Sequence, residues 1–179
     1  MGVWARAFRR AALPVRMSQG FNPRPRFSLP APLPVGIEGL DEVIELDLTE
    51  RTPPEDLCRR LDAVLPEGVK TLRAETVEPA ARAPIGTLAY RLLGPLPDGA
   101  VERCAAGGLR ATRPGGKEVD VSRYLTRLSP CDGGCDFELA VTDEGTARPA
   151  EVVAALCGAE PERSRHMSVV RTSVNLVAR

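Results

Sequence analysis

The sequence predicts an α+β protein built from two ferredoxin-like units in tandem. The second half shows the order strand, helix, strand, strand, helix, strand, which is the order of one such unit. The first half shows helix, strand, strand, helix, strand, and it matches once an opening strand is placed before Met1. We therefore predict an N-terminal unit over residues 1–78 that lacks its first strand, a linker over 79–84, and a C-terminal unit over 85–179.

The first predicted element is an amphipathic helix that ends near Leu13-Pro14. Apolar side chains recur at helical spacing on one side and arginines on the other, namely Trp4, Ala7, Phe8 and Ala11 against Arg6, Arg9 and Arg10. Residues 27–37 then alternate apolar and non-apolar residues, which predicts a strand. Because three prolines remove backbone donors from one side, at positions 30, 32 and 34, this is predicted to be an edge strand.

The rest of the first half completes a hairpin and adds a helix and a strand. Residues 38–41 predict a turn, and residues 43–49 alternate as the hairpin partner. The segment Thr52-Pro53-Pro54-Glu55 has the form of a capping box with proline at the first helical position, and residues 69–77 read as a strand. In a ferredoxin-like sheet the first strand is central, so its absence would leave two neighbours unpaired, and we expect the true start to lie upstream of Met1.

The second half is predicted element by element. We expect strands over 88–93, 117–128 with an interruption, 137–141 and 167–177, and helices over 98–106 and 149–157. The segment Gly115-Gly116-Lys117 resembles a phosphate loop only superficially, because Glu118 stands where that motif needs Ser or Thr. It is interpreted as a hairpin turn.

Composition is that of a globular protein, with 43% hydrophobic and 27% charged residues. No run approaches the ~20 apolar residues of a membrane helix, and the start lacks a secretory signal, so we expect a cytoplasmic protein without membrane contact. The net charge is zero but unevenly spread. Residues 1–37 hold six arginines and no acid, whereas residues 38–78 hold twelve acidic against five basic residues.

The five cysteines do not predict a metal or iron-sulfur site. Three occur singly in helical segments and are interpreted as small buried hydrophobes, namely Cys58, Cys104 and Cys157. Cys131 and Cys135 are close in sequence but lie in a turn-forming stretch, Glu138 stands where a third cluster ligand would be needed, and no second close pair exists. We predict no cofactor and no catalytic centre within the chain.

Several motifs resemble the radical SAM-linked domain family of bacteria, first described as a domain of unknown function. The motifs are AFRRA at 7–11, LP at 13–14, SQGFNPRPR at 18–26, PLPVG at 32–36, KEVDV with YL at 117–125, and VRT at 170–172. Members are small separate proteins encoded beside a radical SAM enzyme or fused to one. Members usually also begin with a strand and a Ser-His-Leu-Asp-like segment, which this chain lacks. The resemblance implies a role beside radical SAM chemistry without naming a reaction.

The loop over residues 18–26 is the predicted binding site for an anionic ligand or partner. It combines a hydroxyl, two amides, an aromatic ring and two guanidinium groups, and arginines of the preceding helix extend its positive charge; the residues are Arg9, Arg10, Ser18, Gln19, Phe21, Asn22, Arg24 and Arg26. The alternative is a structural turn in which Phe21 fills the core and the arginines are solvated.

Four secondary candidates lie in the second half: Lys117, Asp120, Tyr124 and Arg171. Asp120 could accept from Arg123 or Lys117. His166, the single histidine, could act as a general base but is interpreted as an exposed loop residue without a catalytic role.

These observations predict a non-catalytic accessory or substrate-recognition protein for a radical SAM enzyme encoded nearby. The alternative is an RNA-binding or RNA-processing protein, since tandem ferredoxin-like units occur in RNA endonucleases; that alternative rests on fold-level analogy.

Overall fold

A computed structural model describes residues 2–78, 84–113, 115–158 and 161–177. The architecture is mixed α+β, as predicted. Within the described residues the α-helices are α1 (Val3–Arg10), α2 (Pro54–Asp62), α3 (Ala100–Gly107) and α4 (Pro149–Cys157). The strands are β1 (Phe27–Ser28), β2 (Glu38–Gly39), β3 (Glu45–Leu46), β4 (Ile85–Leu93), β5 (Arg110–Thr112), β6 (Glu118–Asp120), β7 (Leu125–Cys131), β8 (Gly134–Ala140) and β9 (Ser168–Leu176).

The chain divides into two compact units. The first contains Met1–Pro30 and Val43–Arg82, and the second contains Ala31–Glu42 and Ala83–Arg179. Residues 31–42 therefore belong to the second unit, although the chain on both sides of them belongs to the first. Most of the predicted linker, residues 79–83, lies outside the described residues.

The first unit is organised around the apolar side of α1. Ala7, Phe8 and Ala11 are buried there together with Leu13 and Leu61, as the amphipathic pattern predicts. The arginines of the helix are exposed on its other side. Aromatic contacts extend this core, because the Phe8 ring lies 6.0 Å from the Trp4 ring and 5.4 Å from the Phe27 ring, centroid to centroid.

The predicted edge strand over residues 27–37 is wrong in extent. Only Phe27–Ser28 pairs, antiparallel with Glu45–Leu46, so the predicted hairpin is present but short. The prolines explain the early end, because they alternate with the apolar residues and cannot donate to a ladder. The apolar alternation does not mark a buried face either, since Val35 is fully exposed at 105%.

Three other local predictions in the first half need correction. Residues 38–41, predicted as a turn, contain β2. Residues 69–77, predicted as a strand, form no ladder with any other described residue. The helix α2 does begin with Pro54 at its first position, but its N-cap is Pro53, whose side chain has no oxygen, so the predicted capping box is not formed.

The second unit contains a five-stranded sheet in the order β2-β9-β4-β8-β7. All neighbours are antiparallel except the edge strand β2, which runs parallel to β9. Buried side chains alternate along β4 and β8, including Leu88, Tyr90, Leu92, Phe137 and Leu139. One face of the sheet is therefore the core face.

Apart from one additional strand, β5, the element order of the second half agrees with the order predicted from the sequence. The helix predicted over 149–157 has those bounds in the structure, and the interrupted strand over 117–128 is β6, a 3-10 turn at Val121–Arg123, and β7. The glycine-rich segment is a hairpin turn between β5 and β6, where the Arg113 amide donates to the Lys117 carbonyl at 2.8 Å. The strand β5 was not predicted.

None of the helices in the described residues is long and apolar enough to cross a membrane.

Candidate anion-binding site

The predicted loop forms the tip of a short hairpin in the first unit. Its two arms pair at Met17 and Pro25. Next to that pair, the Ser18 amide donates to the Arg24 carbonyl at 2.8 Å, and the Arg24 amide donates to Ser18 Oγ at 3.0 Å. The Ser18 hydroxyl thus closes the loop, and its own hydrogen stays able to donate to a ligand.

Three chain segments meet at the base of this hairpin. The Arg16 amide donates to the Asp47 carbonyl at 2.7 Å, the Arg26 amide donates to the Arg16 carbonyl at 2.7 Å, and the Asp47 amide donates to the Arg26 carbonyl at 3.1 Å. Each of the three residues is therefore bonded to both others through the backbone. This closed arrangement holds two arginines side by side without relying on their side chains.

A cavity of about 480 Å³ opens at this junction. Its lining residues are Arg16, Met17, Ser18, Gln19, Arg26 and Thr49. The cavity is shallow and largely open to solvent, so a ligand would be held mainly by the polar groups that line it. The cavity thus offers two guanidinium groups, one side-chain amide and the Ser18 hydroxyl as donors to phosphate or carboxylate oxygens, whereas the Thr49 hydroxyl already donates to the Pro14 carbonyl.

The charge at the cavity is only partly balanced. Arg26 forms an ion pair with Asp47, Nε to Oδ2 at 3.1 Å, and both side chains are about half exposed at 55% and 49%. Among the described residues, no carboxylate pairs with Arg16 or Arg24. The three arginines at positions 16, 24 and 26 outnumber the one paired carboxylate, that of Asp47. The resulting net positive charge attracts anions.

Phe21 lies at the tip of the hairpin with its side chain fully exposed, at 104%. The structural-turn alternative is therefore wrong in placing Phe21 in the core, although Arg24 and Arg26 are exposed as that alternative expected. Gly20, with φ +128, precedes it and adopts a backbone conformation that only glycine enters readily. The tip is thus shaped to present an aromatic ring to solvent.

The structure brings together some of the predicted site residues and separates others. Ser18, Gln19 and Arg26 line the cavity, whereas Phe21, Asn22 and Arg24 lie on the exposed loop beyond it. Arg9 and Arg10 are exposed on the last turn of α1 and do not line the cavity.

Three cavity residues were missed by sequence reasoning: Arg16, Met17 and Thr49. Arg16 and Met17 directly precede the predicted loop, and a two-residue extension of the hairpin arm would have included them. Thr49 reaches the site through a long-range contact, because its amide and its hydroxyl both donate to the Pro14 carbonyl, at 2.8 and 3.1 Å. No local pattern signals that contact.

The secondary candidates in the second unit do not form one site. Lys117 is exposed beside the hairpin turn, and Tyr124 is half-buried after the 3-10 turn. Asp120 accepts from the Ser122 amide at 3.1 Å and so caps that turn. Arg123, one of its expected partners, instead pairs with Glu144 at 3.0 Å. The contacts of Asp120 and Arg123 are thus local and structural.

Arg171 is almost completely buried, at 1% exposure, in β9. Its guanidinium donates from Nε to Glu42 Oε1 at 2.7 Å and from Nη2 to the Ala31 carbonyl at 2.6 Å, with a further bond from Nη2 to the other Glu42 oxygen. Its donors are thus largely used within the protein. Arg171 is a structural residue rather than a ligand-binding one.

The cysteines and the single histidine were predicted to have no metal-binding or catalytic role. All five cysteines are free thiols, and three of them lie in α2, α3 and α4 as predicted. Of these three, Cys157 is buried as predicted, whereas Cys58 and Cys104 are only partly buried, so the prediction of burial is wrong for them. Cys131 and Cys135 flank the β7–β8 turn. Within the described residues, no group of three or more His, Cys, Asp or Glu could hold a metal ion. His166 is exposed at the end of a 3-10 turn, as expected.

Fold and site together define an α+β protein of two compact units with a small basic cavity on the first. The chain belongs to the family of uncharacterised proteins conserved in bacteria known as DUF2344, whose model matches residues 1–149. Comparisons with curated proteins and with solved structures found no match.

Proposed function

We propose that this protein is a non-catalytic accessory or substrate-recognition protein of a radical SAM enzyme, and that it acts in the cytoplasm. It would hold an anionic substrate, or an acidic surface of that enzyme, at the basic cavity of the first unit. The observation that carries the proposal is the pair of arginines, Arg16 and Arg26, held side by side at the mouth of a cavity of about 480 Å³. The link to radical SAM chemistry rests on the motif resemblance over residues 7–36.

The backbone arrangement supports a binding role more than a structural one. Like charges on directly opposed positions of paired segments destabilise a fold unless something neutralises them. Asp47 neutralises only part of the charge, and it does so while half exposed, where such a pair is worth about 0–1 kcal/mol. An anion bound between Arg16 and Arg26 would relieve the remaining repulsion.

We also propose that both units are ferredoxin-like. The antiparallel order β9-β4-β8-β7 and the helices α3 and α4 support this for the second unit. For the first unit the support is the sequence of elements α1, β1, β3 and α2. An experimental structure whose strand order in either unit departs from that topology would refute this part.

The binding proposal is tested with pyrophosphate as a probe, followed by NMR chemical shifts of the purified full chain. Resonances of Ser18, Gln19 and Thr49 are expected to shift on titration. The variant Arg16→Ala/Arg26→Ala should abolish the shifts. The matched control is Arg123→Ala, an exposed arginine of the second unit paired only with Glu144, which should leave them unchanged. Shifts that persist in the double variant would contradict the proposal.

The partner proposal is tested by co-expression with the radical SAM enzyme encoded beside it. A tag on that enzyme should retain the wild-type chain and the Arg123→Ala control in low salt, and lose both as the salt concentration rises. If the wild-type chain is not retained at any salt concentration, the accessory role is wrong even if pyrophosphate binds.

A further inference from the structure

We propose that the ligand of the basic cavity is single-stranded RNA, with one phosphate held by Arg16 and Arg26 and a base stacked on Phe21. This inference rests on the proposed anion-binding function and names its ligand class. It starts from the exposure of Phe21. No other part of its unit that the structure describes covers the ring of this residue.

Phe21 follows the cavity-lining residue Gln19 by two positions, so one ligand of modest length can engage both the cavity and the loop tip. Gln19 lines the cavity, and two residues of fully extended chain span at most about 7 Å. A ligand with an anionic group and a planar ring joined by a short linker matches these two features. Nucleotides have that composition, and stacking on an aromatic side chain is available to every base.

The arginines follow one another along the two arms of the hairpin. Arg24 and Arg26 are two residues apart on one arm, about 6.7 Å along an extended chain, and Arg16 is bonded to Arg26 on the other arm. Ser18 and Arg24 are likewise bonded across the arms. Successive phosphates could thus be contacted from Arg16 and Arg26 towards Arg24 and the loop tip.

The exposed ring at the loop tip favours a strand of nucleic acid over the surface of an acidic protein. Carboxylates can engage the arginines but leave Phe21 uncovered, whereas a nucleotide carries both an anionic group and a planar base. A protruding ring at a loop tip needs unpaired bases, which single strands provide and duplexes do not. The hydroxyls of Ser18 and Thr49 and the amide of Gln19 could bond to a 2′-hydroxyl, which distinguishes RNA from DNA.

The test uses fluorescence anisotropy of a labelled ten-nucleotide adenosine RNA with the full chain. Phe21→Ala should weaken binding about 5- to 100-fold without changing its salt dependence. Arg16→Ala and Arg26→Ala should each reduce the slope of log affinity against log salt by about 0.7. Phe21→Trp should restore or increase the affinity. Because Phe21 is fully exposed, its replacement leaves the core intact.

Two control ligands separate the contribution of the bases from that of the ribose 2′-hydroxyl groups. An abasic strand with the same phosphates should bind more weakly than the RNA and should not respond to Phe21→Ala. DNA of the same sequence should bind more weakly than RNA. Equal binding of abasic strand and RNA, or of DNA and RNA, would overturn the inference.

Failure of the inference is distinguishable from failure of the proposed function. If Phe21→Ala has no effect on RNA binding while Arg16→Ala weakens pyrophosphate binding, the cavity binds anions but not bases. If the wild-type chain binds no RNA in 50 mM salt yet binds the radical SAM enzyme through the same arginines, the site is a protein-docking surface. Either result overturns the RNA assignment and leaves the proposed function standing.

Discussion

Arg171 in β9 and Glu42 form a two-point ion pair although they lie 129 positions apart in the chain. Arg171 also donates to the Ala31 carbonyl, and its own carbonyl accepts from the Leu40 amide at 2.9 Å. One residue thus holds both ends of the segment 31–42 against the edge of the sheet in the second unit. The short strand β2 lies between these attachment points.

The protonation states around this pair follow from its contacts. Burial opposes the positive charge of Arg171, but its hydrogen bonds to Glu42 and to the Tyr90 hydroxyl prevail and raise its pKa. Burial likewise raises the pKa of Tyr90, which Arg171 only partly offsets. Arg171 is therefore charged and Tyr90 neutral at neutral pH.

The first prediction concerns the loss of one partner of this pair. Glu42→Ala leaves the guanidinium of Arg171 buried with its charge unpaired, which costs about 3–5 kcal/mol. Urea unfolding should show this as a lower midpoint. Arg171→Met should cost less, because Glu42 is partly exposed and can be hydrated. The double variant Arg171→Met/Glu42→Leu should recover much of the loss, and equal stability of Glu42→Ala and wild type would refute the prediction.

The second prediction concerns acid stability. Glu151 is buried, accepts from Arg113 Nε at 2.6 Å and Nη2 at 3.2 Å, and accepts from the Arg148 amide at 2.9 Å. Burial alone would raise its pKa, but these bonds together hold the pKa below its ordinary value of 4.5. A depressed folded pKa means that the stabilisation is complete above the unfolded pKa and is lost as pH falls through the folded one.

The variant Glu151→Gln isolates this contribution. The difference in unfolding free energy between wild type and variant should be about 1–3 kcal/mol at pH 7. It should shrink below about pH 4.5, when the carboxyl of the unfolded wild type is protonated. Urea titrations at several pH values measure it. A difference that is constant from pH 7 to pH 3 would contradict the argument.

Local patterns predicted the second half better than the first, for identifiable reasons. The helix α4 is marked by Pro149 at its start and Gly158 after its end, so its bounds depend on adjacent residues. In contrast, β2 exists because Glu38 and Gly39 pair with residues 170 and 171. No pattern near residue 38 encodes that contact, and the proline-rich alternation before it indicated a strand elsewhere.

Only the part of the candidate site that lies in one continuous segment could be predicted from the sequence. The loop over residues 18–26 was recognised from its composition, and Ser18 and Arg26 indeed line the cavity. The position of Arg16 depends on backbone bonds to Asp47, 31 residues later. Burial of Arg171 was equally hidden, because a single arginine in a strand gives no sign of which face it occupies.

The third prediction concerns thiol reactivity. Cys135 is completely buried in β8, and burial raises its pKa to about 12. Since the thiolate is the reactive form, Cys135 should resist iodoacetamide at pH 8 in the folded protein. Mass spectrometry should find it modified only after unfolding, whereas the partly exposed Cys131 of the same hairpin reacts earlier. Equal rates for Cys131 and Cys135 in the native protein would refute this prediction.

The fourth prediction compares Gly133 in the β7–β8 turn with Gly134, the first residue of β8. A β-carbon on Gly134 would collide with the Leu92 carbonyl oxygen and would lie 3.1 Å from the Leu93 α-carbon, both on the adjacent strand β4. Backbone atoms within a sheet cannot move aside cheaply, so Gly134→Ala should destabilise the protein by about 1–3 kcal/mol. Gly133 has φ +76 and no neighbouring atom within 4 Å of the corresponding position.

Gly133→Asn is therefore the matched control, because asparagine tolerates this left-handed conformation better than other residues. It should cost less than about 1 kcal/mol. Thermal unfolding followed by circular dichroism would compare the two variants with the wild type. We expect the larger loss at Gly134, because of these two glycines only Gly134 would bring a side chain against the backbone of β4. An equal or larger loss for Gly133→Asn would show that turn conformation, and not this close approach, limits the stability of the hairpin.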